Sequence, residues 1–147
     1  MAIPTCTRRI EFDTAHRITR HDSKCRNLHG HRYALEVTCR AAQLNEIGMV
    51  IDFGVIKRVV GGWIDEHLDH GVILDHEDRV ALPDGSTIPF ADLCRAQGWK
   101  TMTMKGEPTS ENMALMLKAK AADLLAPYGI EIAKVRLYET PNCWAEV

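Results

Sequence analysis

A chain of 147 residues, 46% hydrophobic and 26% charged, is long enough to bury one real core and too short for two. Its 18 basic and 20 acidic side chains leave a formal charge of −2, so no global positive field waits for nucleic acid or anionic lipid. No run of about 18 apolar residues reads as a membrane span and the first residues carry no apolar leader, so the expected location is cytoplasmic.

No repeat or Gly/Ser/Pro linker divides residues 1–147, which read as a single domain with a looser segment at 71–107 taken as an insertion. From Arg8 to His16, the residues Ile10, Phe12, Thr14 and His16 share one side of an extended chain, and Arg9, Glu11 and Asp13 take the other. A second two-faced strand runs from His29 to Cys39, with His29, His31, Tyr33, Leu35 and Val37 on one face, and is expected to pair antiparallel with the first. Asp52 is placed to cap a helix reaching Leu68, because Phe53, Ile56, Val60, Trp63 and His67 recur at helical spacing.

Between Asp75 and Gly106 no period dominates. Pro83-Asp84-Gly85 marks a turn and Phe90–Gln97 a short helix, which fits a lid, an oligomer contact or decoration. Thr109, just after Pro108, caps a further helix carrying Met113, Met116, Leu117, Leu124 and Leu125, which stops before Pro127 and Gly129. Ile130–Tyr138 and Cys143–Val147 read as strands joined around Pro141-Asn142. The sum is an α+β domain with two main helices between the second and third of four strands.

The chemistry-bearing residues concentrate early. His29-Gly30-His31 puts two imidazoles on one face of a strand, and His16, at the end of the preceding strand, lies beside them if the two form a hairpin. Three neutral imidazoles with one open position make a catalytic zinc set; histidines that are merely exposed or hydrogen-bonded are the plainer reading. His67, His70 and His76 form a rival cluster with less fixed geometry.

Five cysteines, Cys6, Cys25, Cys39, Cys94 and Cys143, with no Cys-x-x-Cys, argue against a disulfide scaffold or a thiolate zinc site. Cys25 stands apart because Lys24 and Arg26 flank it and favour its thiolate, which suits a base or nucleophile beside a metal. Asp69-His70 pairs a carboxylate with an imidazole that it could orient, or else ends a helix whose dipole favours a cation. Glu139 lies on the strand face shared by Val135 and Leu137. There it invites a guanidine-like edge, as in pterins and guanines, or a structural ion pair with Arg8, Arg9 or Arg136.

Taken in order, Phe12-Asp13-Thr14-Ala15-His16, Cys25-Arg26-Asn27-Leu28-His29-Gly30-His31, Met49-Val50-Ile51-Asp52-Phe53, Leu68-Asp69-His70, Pro108-Thr109-Ser110-Glu111-Asn112 and Glu139-Thr140 resemble the 6-pyruvoyltetrahydropterin synthase and 6-carboxytetrahydropterin synthase family almost from end to end. The resemblance implies Zn2+ on His16, His29 and His31, a catalytic base at Cys25, relay partners at Asp69 and His70, a pterin-anchoring carboxylate at Glu139, and Thr109 and Ser110 near the pterin ring. It implies the tunnelling fold, or T-fold, whose four-stranded antiparallel sheets join between subunits into a barrel, as a homohexamer of two trimers with active sites between protomers.

The three residues between Cys25 and His29 look like the 6-carboxytetrahydropterin synthase branch, which serves queuosine and other deazaguanine pathways. The implied reaction turns 7,8-dihydroneopterin triphosphate into 6-carboxy-5,6,7,8-tetrahydropterin, acetaldehyde and triphosphate. The alternatives are the pyruvoyl product or a non-catalytic, zinc-stabilised pterin-binding oligomer. Gly71–Glu107 departs from the family pattern by its length. A cysteine hydrolase built on Cys25, His70 and Asp69 lacks any oxyanion-hole or nucleophile-elbow motif.

Overall fold

Alternating apolar and polar residues build a long hairpin: β1 (Cys6–His16) and β2 (His29–Arg40) pair antiparallel with His16 opposite His29, Thr14 opposite His31 and Phe12 opposite Tyr33. The computed structural model describes residues 2–147. Helix α1 follows as Phe53–Ile56, a π-helical stretch Lys57–Gly61 and Gly62–His67, and the Asp52 carboxylate caps it by accepting from Gly54 N at 2.6 Å. Its buried large side chains, Ile56, Val60 and Ile64, with Leu68 just beyond, repeat every fourth position, and Gly61 is buried beside them. An ideal helix would let that spacing drift around the axis, and the wider π turn holds it on one side. Phe53, expected on that face, is instead exposed because it lies a full turn before the stretch that is kept in phase.

The segment predicted to be loose is ordered. It contains β3 (Gly71–Asp75), a small hairpin of β4 (Arg79–Ala81) and β5 (Thr87–Pro89), helix α2 (Phe90–Ala96) and β6 (Thr101–Met104). Pro83-Asp84-Gly85 falls in the hairpin turn, as expected, with Gly85 at φ 87°. Helix α3 (Ser110–Leu125), β7 (Glu131–Thr140) and β8 (Cys143–Glu146) complete the order.

The four expected strands are present and antiparallel, but the sheet is larger than the sequence reading had it. β3 adds parallel to β1 and β6 parallel to β3, giving a six-stranded mixed sheet in the order β6-β3-β1-β2-β7-β8. Val72, Ile73 and Leu74 are all buried, as a strand covered on both faces requires. One face of the sheet packs on α1 and α3 through Phe12, Tyr33, Leu35, Val37, Val135 and Leu137, against Ile56, Ile64, Met113 and Leu117. A smaller cluster of Val72, Leu74, Ala91 and Cys94 seats α2 on β3.

Leu137 is fully buried in the main cluster, so Leu137→Ala is expected to cost about 3 kcal/mol in urea unfolding through lost transfer energy and an unfilled cavity. Among the described residues no helix is long and apolar enough to cross a membrane.

Candidate metal centre

The face of the hairpin that carries the core runs on into a polar cluster at the end where the connection 17–28 joins the two strands. Because His16 sits opposite His29 and the side chains of His29 and His31 project from the same side of β2, the three rings meet with centroids 4.7, 4.9 and 5.2 Å apart. Gly30 makes the approach possible, since a Cβ there would stand 3.3 Å from the Thr14 carbonyl of the paired strand. Glu139, near the end of β7, closes the fourth side, with Oε1 3.2 Å from His16 Nε2 and 2.9 Å from His31 Nε2. One ligand atom from each of the four residues falls within 4.8 Å of all the others.

The surroundings prepare these groups for a cation. His16 Nδ1 donates to the Pro108 carbonyl at 2.8 Å and His29 Nδ1 to the Asn27 carbonyl at 2.6 Å, which fixes both tautomers with Nε2 unprotonated, that of His16 lying 3.4 Å from the Tyr33 hydroxyl. Burial pushes His16 and His31 below the usual imidazole value, so both are neutral near pH 7, the form that ligates a metal. His31 Nε2 is buried and out of line with Glu139, so it makes no hydrogen bond. An orphaned imidazole nitrogen beside two further unprotonated Nε2 atoms is a three-nitrogen donor set that fits a divalent ion, with the Glu139 carboxylate next to it. Tyr33 stands over His16 with its hydroxyl 3.2 Å from Nδ1, and burial pushes that phenol upward, keeping it protonated.

Glu139 forms none of the considered ion pairs with Arg8, Arg9 or Arg136; Arg136 is taken by Glu146 at 2.8 Å and Arg9 lies 3.6 Å from Glu36. The second Glu139 oxygen accepts from Ser110 Oγ at 3.2 Å. Thr109 caps α3 by accepting from Asn112 N, also at 3.2 Å. Thus Thr109 and Ser110 stand at the helix start beside the cluster.

Cys25 lies half-buried on a 3-10 turn, Lys24–Arg26, in the connection between β1 and β2. The other cysteines are also free, and burial pushes the Cys39 thiol up to about 12, which marks it as inert. Asp69 and His70 form their own pair, with His70 Nδ1 2.8 Å from Asp69 Oδ2. Asp69 also accepts from Asp13 N at 2.8 Å, and His70 N donates to the Asp13 carbonyl at 2.7 Å. Burial alone would raise the Asp69 carboxyl, but these bonds outweigh it and hold it below the usual range. His70 takes φ 60°, a left-handed conformation rare outside glycine. Its side chain is largely exposed, and no hydrogen bond joins it to Cys25 within the protomer among the described residues.

The rival histidine cluster does not form. His67 is held against Trp63, bonding its carbonyl at 2.9 Å, whereas His76 bonds the Met104 carbonyl beyond β3. The sequence reading missed the Pro108 and Asn27 carbonyls and the Tyr33 hydroxyl, since main-chain acceptors leave no residue-type signal. It also missed Glu107, a buried acid whose only mark in the sequence is its place before Pro108.

Comparison with known proteins gives the family and the fold. The family described as 6-pyruvoyl tetrahydropterin synthase matches residues 5–147. The chain is 45% identical over 143 residues to a 6-carboxy-5,6,7,8-tetrahydropterin synthase of Rickettsia bellii, covering 97% of this chain and 98% of the relative. It is 31% identical to another of that name from Haemophilus influenzae, with 95% of each chain covered. Among solved structures, an uncharacterized protein from Wolinella succinogenes superposes with a TM-score of 0.77 at 25% identity, covering 100% and 98% of the two chains. The 6-pyruvoyltetrahydropterin synthase of Plasmodium vivax shares the fold at a TM-score of 0.69 and 20% identity, covering 98% and 97%.

Proposed function

The chain belongs to the 6-pyruvoyl tetrahydropterin synthase family, and we propose that within it the protein is a zinc-dependent 6-carboxy-5,6,7,8-tetrahydropterin synthase. Its substrate in this reading is 7,8-dihydroneopterin triphosphate, and its products are 6-carboxytetrahydropterin, acetaldehyde and triphosphate, feeding queuosine and related deazaguanine synthesis. The observation that carries the reading is the convergence of His16, His29 and His31 with unprotonated or orphaned Nε2 atoms. The names of the curated relatives support the carboxy branch over the pyruvoyl one.

The residues divide the work by position. Bound zinc would supply a Lewis acid beside the side-chain oxygens of the substrate. Glu139, steadied by Ser110, accepts the paired N–H donors of the pterin ring and sets the side-chain carbons toward the histidines. Cys25 moves the proton at those carbons, and His70, oriented by Asp69, restores the thiol to its starting state. Triphosphate leaves, one water adds at the side-chain carbon next to the ring, and carbon–carbon cleavage then leaves a carboxylate on that carbon and releases acetaldehyde.

Among the described residues no hydrogen bond links the Asp69–His70 pair to Cys25 within one chain, which supports active sites shared between subunits. The edges of the sheet support the same reading. Beyond Thr14 and Ala15, β1 has no strand partner on the side away from β2, and β8 has none on its outer side, among the described residues. Unpaired edges of this kind invite pairing with further copies, here a homohexamer of two trimers. We read residues 1–147 as one domain in which 71–107 is an insertion.

Incubation of the zinc-loaded protein with 7,8-dihydroneopterin triphosphate tests the assignment. Acetaldehyde and 6-carboxytetrahydropterin are expected; a pyruvoyl product would move the protein to the other branch, and binding without turnover would remove it from catalysis.

A further inference from the structure

No residue of the β1–β2 connection that carries Cys25 is buried or belongs to a core cluster, yet its first residues are gripped by two buried carboxylates. Asp78, 4% exposed and contributed by the 71–107 segment, accepts from Arg17 Nε at 2.8 Å and also from the second nitrogen of that guanidinium. The same guanidinium reaches the Arg79 carbonyl at 3.2 Å and lies over the Phe90 ring at 4.9 Å, so both the small hairpin and α2 take part. Glu107, 6% exposed at the far end of the segment, accepts from Thr19 N at 2.8 Å, from Thr19 Oγ, and from Arg20 N and Nε at 3.3 Å each. The carbonyl of Glu107 is itself fixed by Thr109 N at 2.8 Å and Asn112 Nδ2 at 2.9 Å, tying it to the start of α3.

Between the two gripped positions, Ile18 N donates to the Cys25 carbonyl at 2.9 Å, which transmits the placement of Arg17–Arg20 to the turn that bears the thiol. We propose that the 71–107 segment is a clasp in which Asp78 and Glu107 act as positioning residues, holding the loop so that Cys25 keeps a fixed reach to the histidine cluster. Neither carboxylate is free to meet substrate, since each is spent on Arg17, Thr19 or Arg20. Buried acids aimed at one short loop are a costly arrangement for a segment that merely decorates the fold. Burial raises the Glu107 carboxyl, but the bonds from Thr19 and Arg20 outweigh it and hold it below the usual range, consistent with an ionised anchor.

The catalytic half of this inference rests on the proton-transfer role given to Cys25; the placement half does not. The test uses Asp78→Asn and Glu107→Gln in the full-length, zinc-loaded protein, with Thr19→Ala as a milder companion that removes one arm of the grip. Alkylation by iodoacetamide is followed at each cysteine by mass spectrometry, alongside kcat, KM, zinc content and Tm. Losing hydrogen bonds to a charged group should speed alkylation of the half-buried Cys25 about tenfold and lower kcat by a similar factor. Cys143, already exposed, zinc content and KM should change little.

If the variants lower Tm while Cys25 alkylation stays at the wild-type rate well below Tm, the carboxylates are structural only and the clasp is wrong. Should Cys25→Ala keep full turnover, the role of the thiol falls, and the alkylation rates still decide whether the clasp positions the loop.

Discussion

His31→Ala is expected to abolish stoichiometric metal binding and to lower turnover by roughly a thousandfold or more. A Lewis acid contributes several kcal/mol to such a step, and each ~1.4 kcal/mol is a factor of ten. His31 Nε2 is the buried nitrogen without a hydrogen bond, so in the metal-free protein it has nothing to lose that a ligand does not supply. Loss of one protein ligand among three should weaken affinity by more than the roughly 10–100-fold that an outer-shell change costs. The strand should survive, because Tyr33 and Leu35 continue to bury β2 beyond the site. Metal analysis and turnover measured together check this, with His76→Ala as a control; His76 is half exposed and bonded elsewhere, and its loss should leave both unchanged.

Cys25→Ala should give the complementary result. Turnover falls by about 10²–10⁴, the usual contribution of a positioned acid or base, while zinc stays bound at one ion per chain. KM should move little, since ring binding is assigned to Glu139 and to the Thr109–Ser110 end of α3. The contrast between the two variants separates template from proton transfer: one empties the site and the other leaves it filled but idle. Steady-state kinetics paired with metal content on the same preparations reads the difference, and a Cys25→Ala protein with full zinc and wild-type turnover would remove the thiol from the mechanism.

The part of this site that could be read from sequence is the part written in a two-residue period. Ile10, Phe12, Thr14 and His16 on one strand, and His29, His31, Tyr33 and Leu35 on the next, declare a common face, and a hairpin then brings the imidazoles together. Glu139 was legible as an oddity on an apolar face but not as a neighbour of His31. Its nearness to His31 depends on the β2–β7 register, which sets Ala34 opposite Tyr138 and Leu35 opposite Leu137 and which a sequence pattern does not record. In the 71–107 segment, Val72-Ile73-Leu74 carries the continuous apolar run of a strand buried on both sides, a signal that alternation alone does not seek. Asp78 and Glu107 could not be singled out, because an acid reads as surface until the fold shows which cation and hydroxyl it meets. The π-helical stretch in α1 was likewise hidden, and with it the exposure of Phe53.

The proposed chemistry requires three imidazoles to hold one ion while the Cys25 thiol stays free for proton transfer. X-ray absorption at the zinc edge of the loaded, substrate-free protein measures this directly. The prediction is a shell of three histidine nitrogens at about 2.0–2.1 Å, completed by light oxygen or nitrogen atoms and with no sulfur. A sulfur scatterer from Cys25, or fewer than three imidazoles around the bound ion, would contradict it.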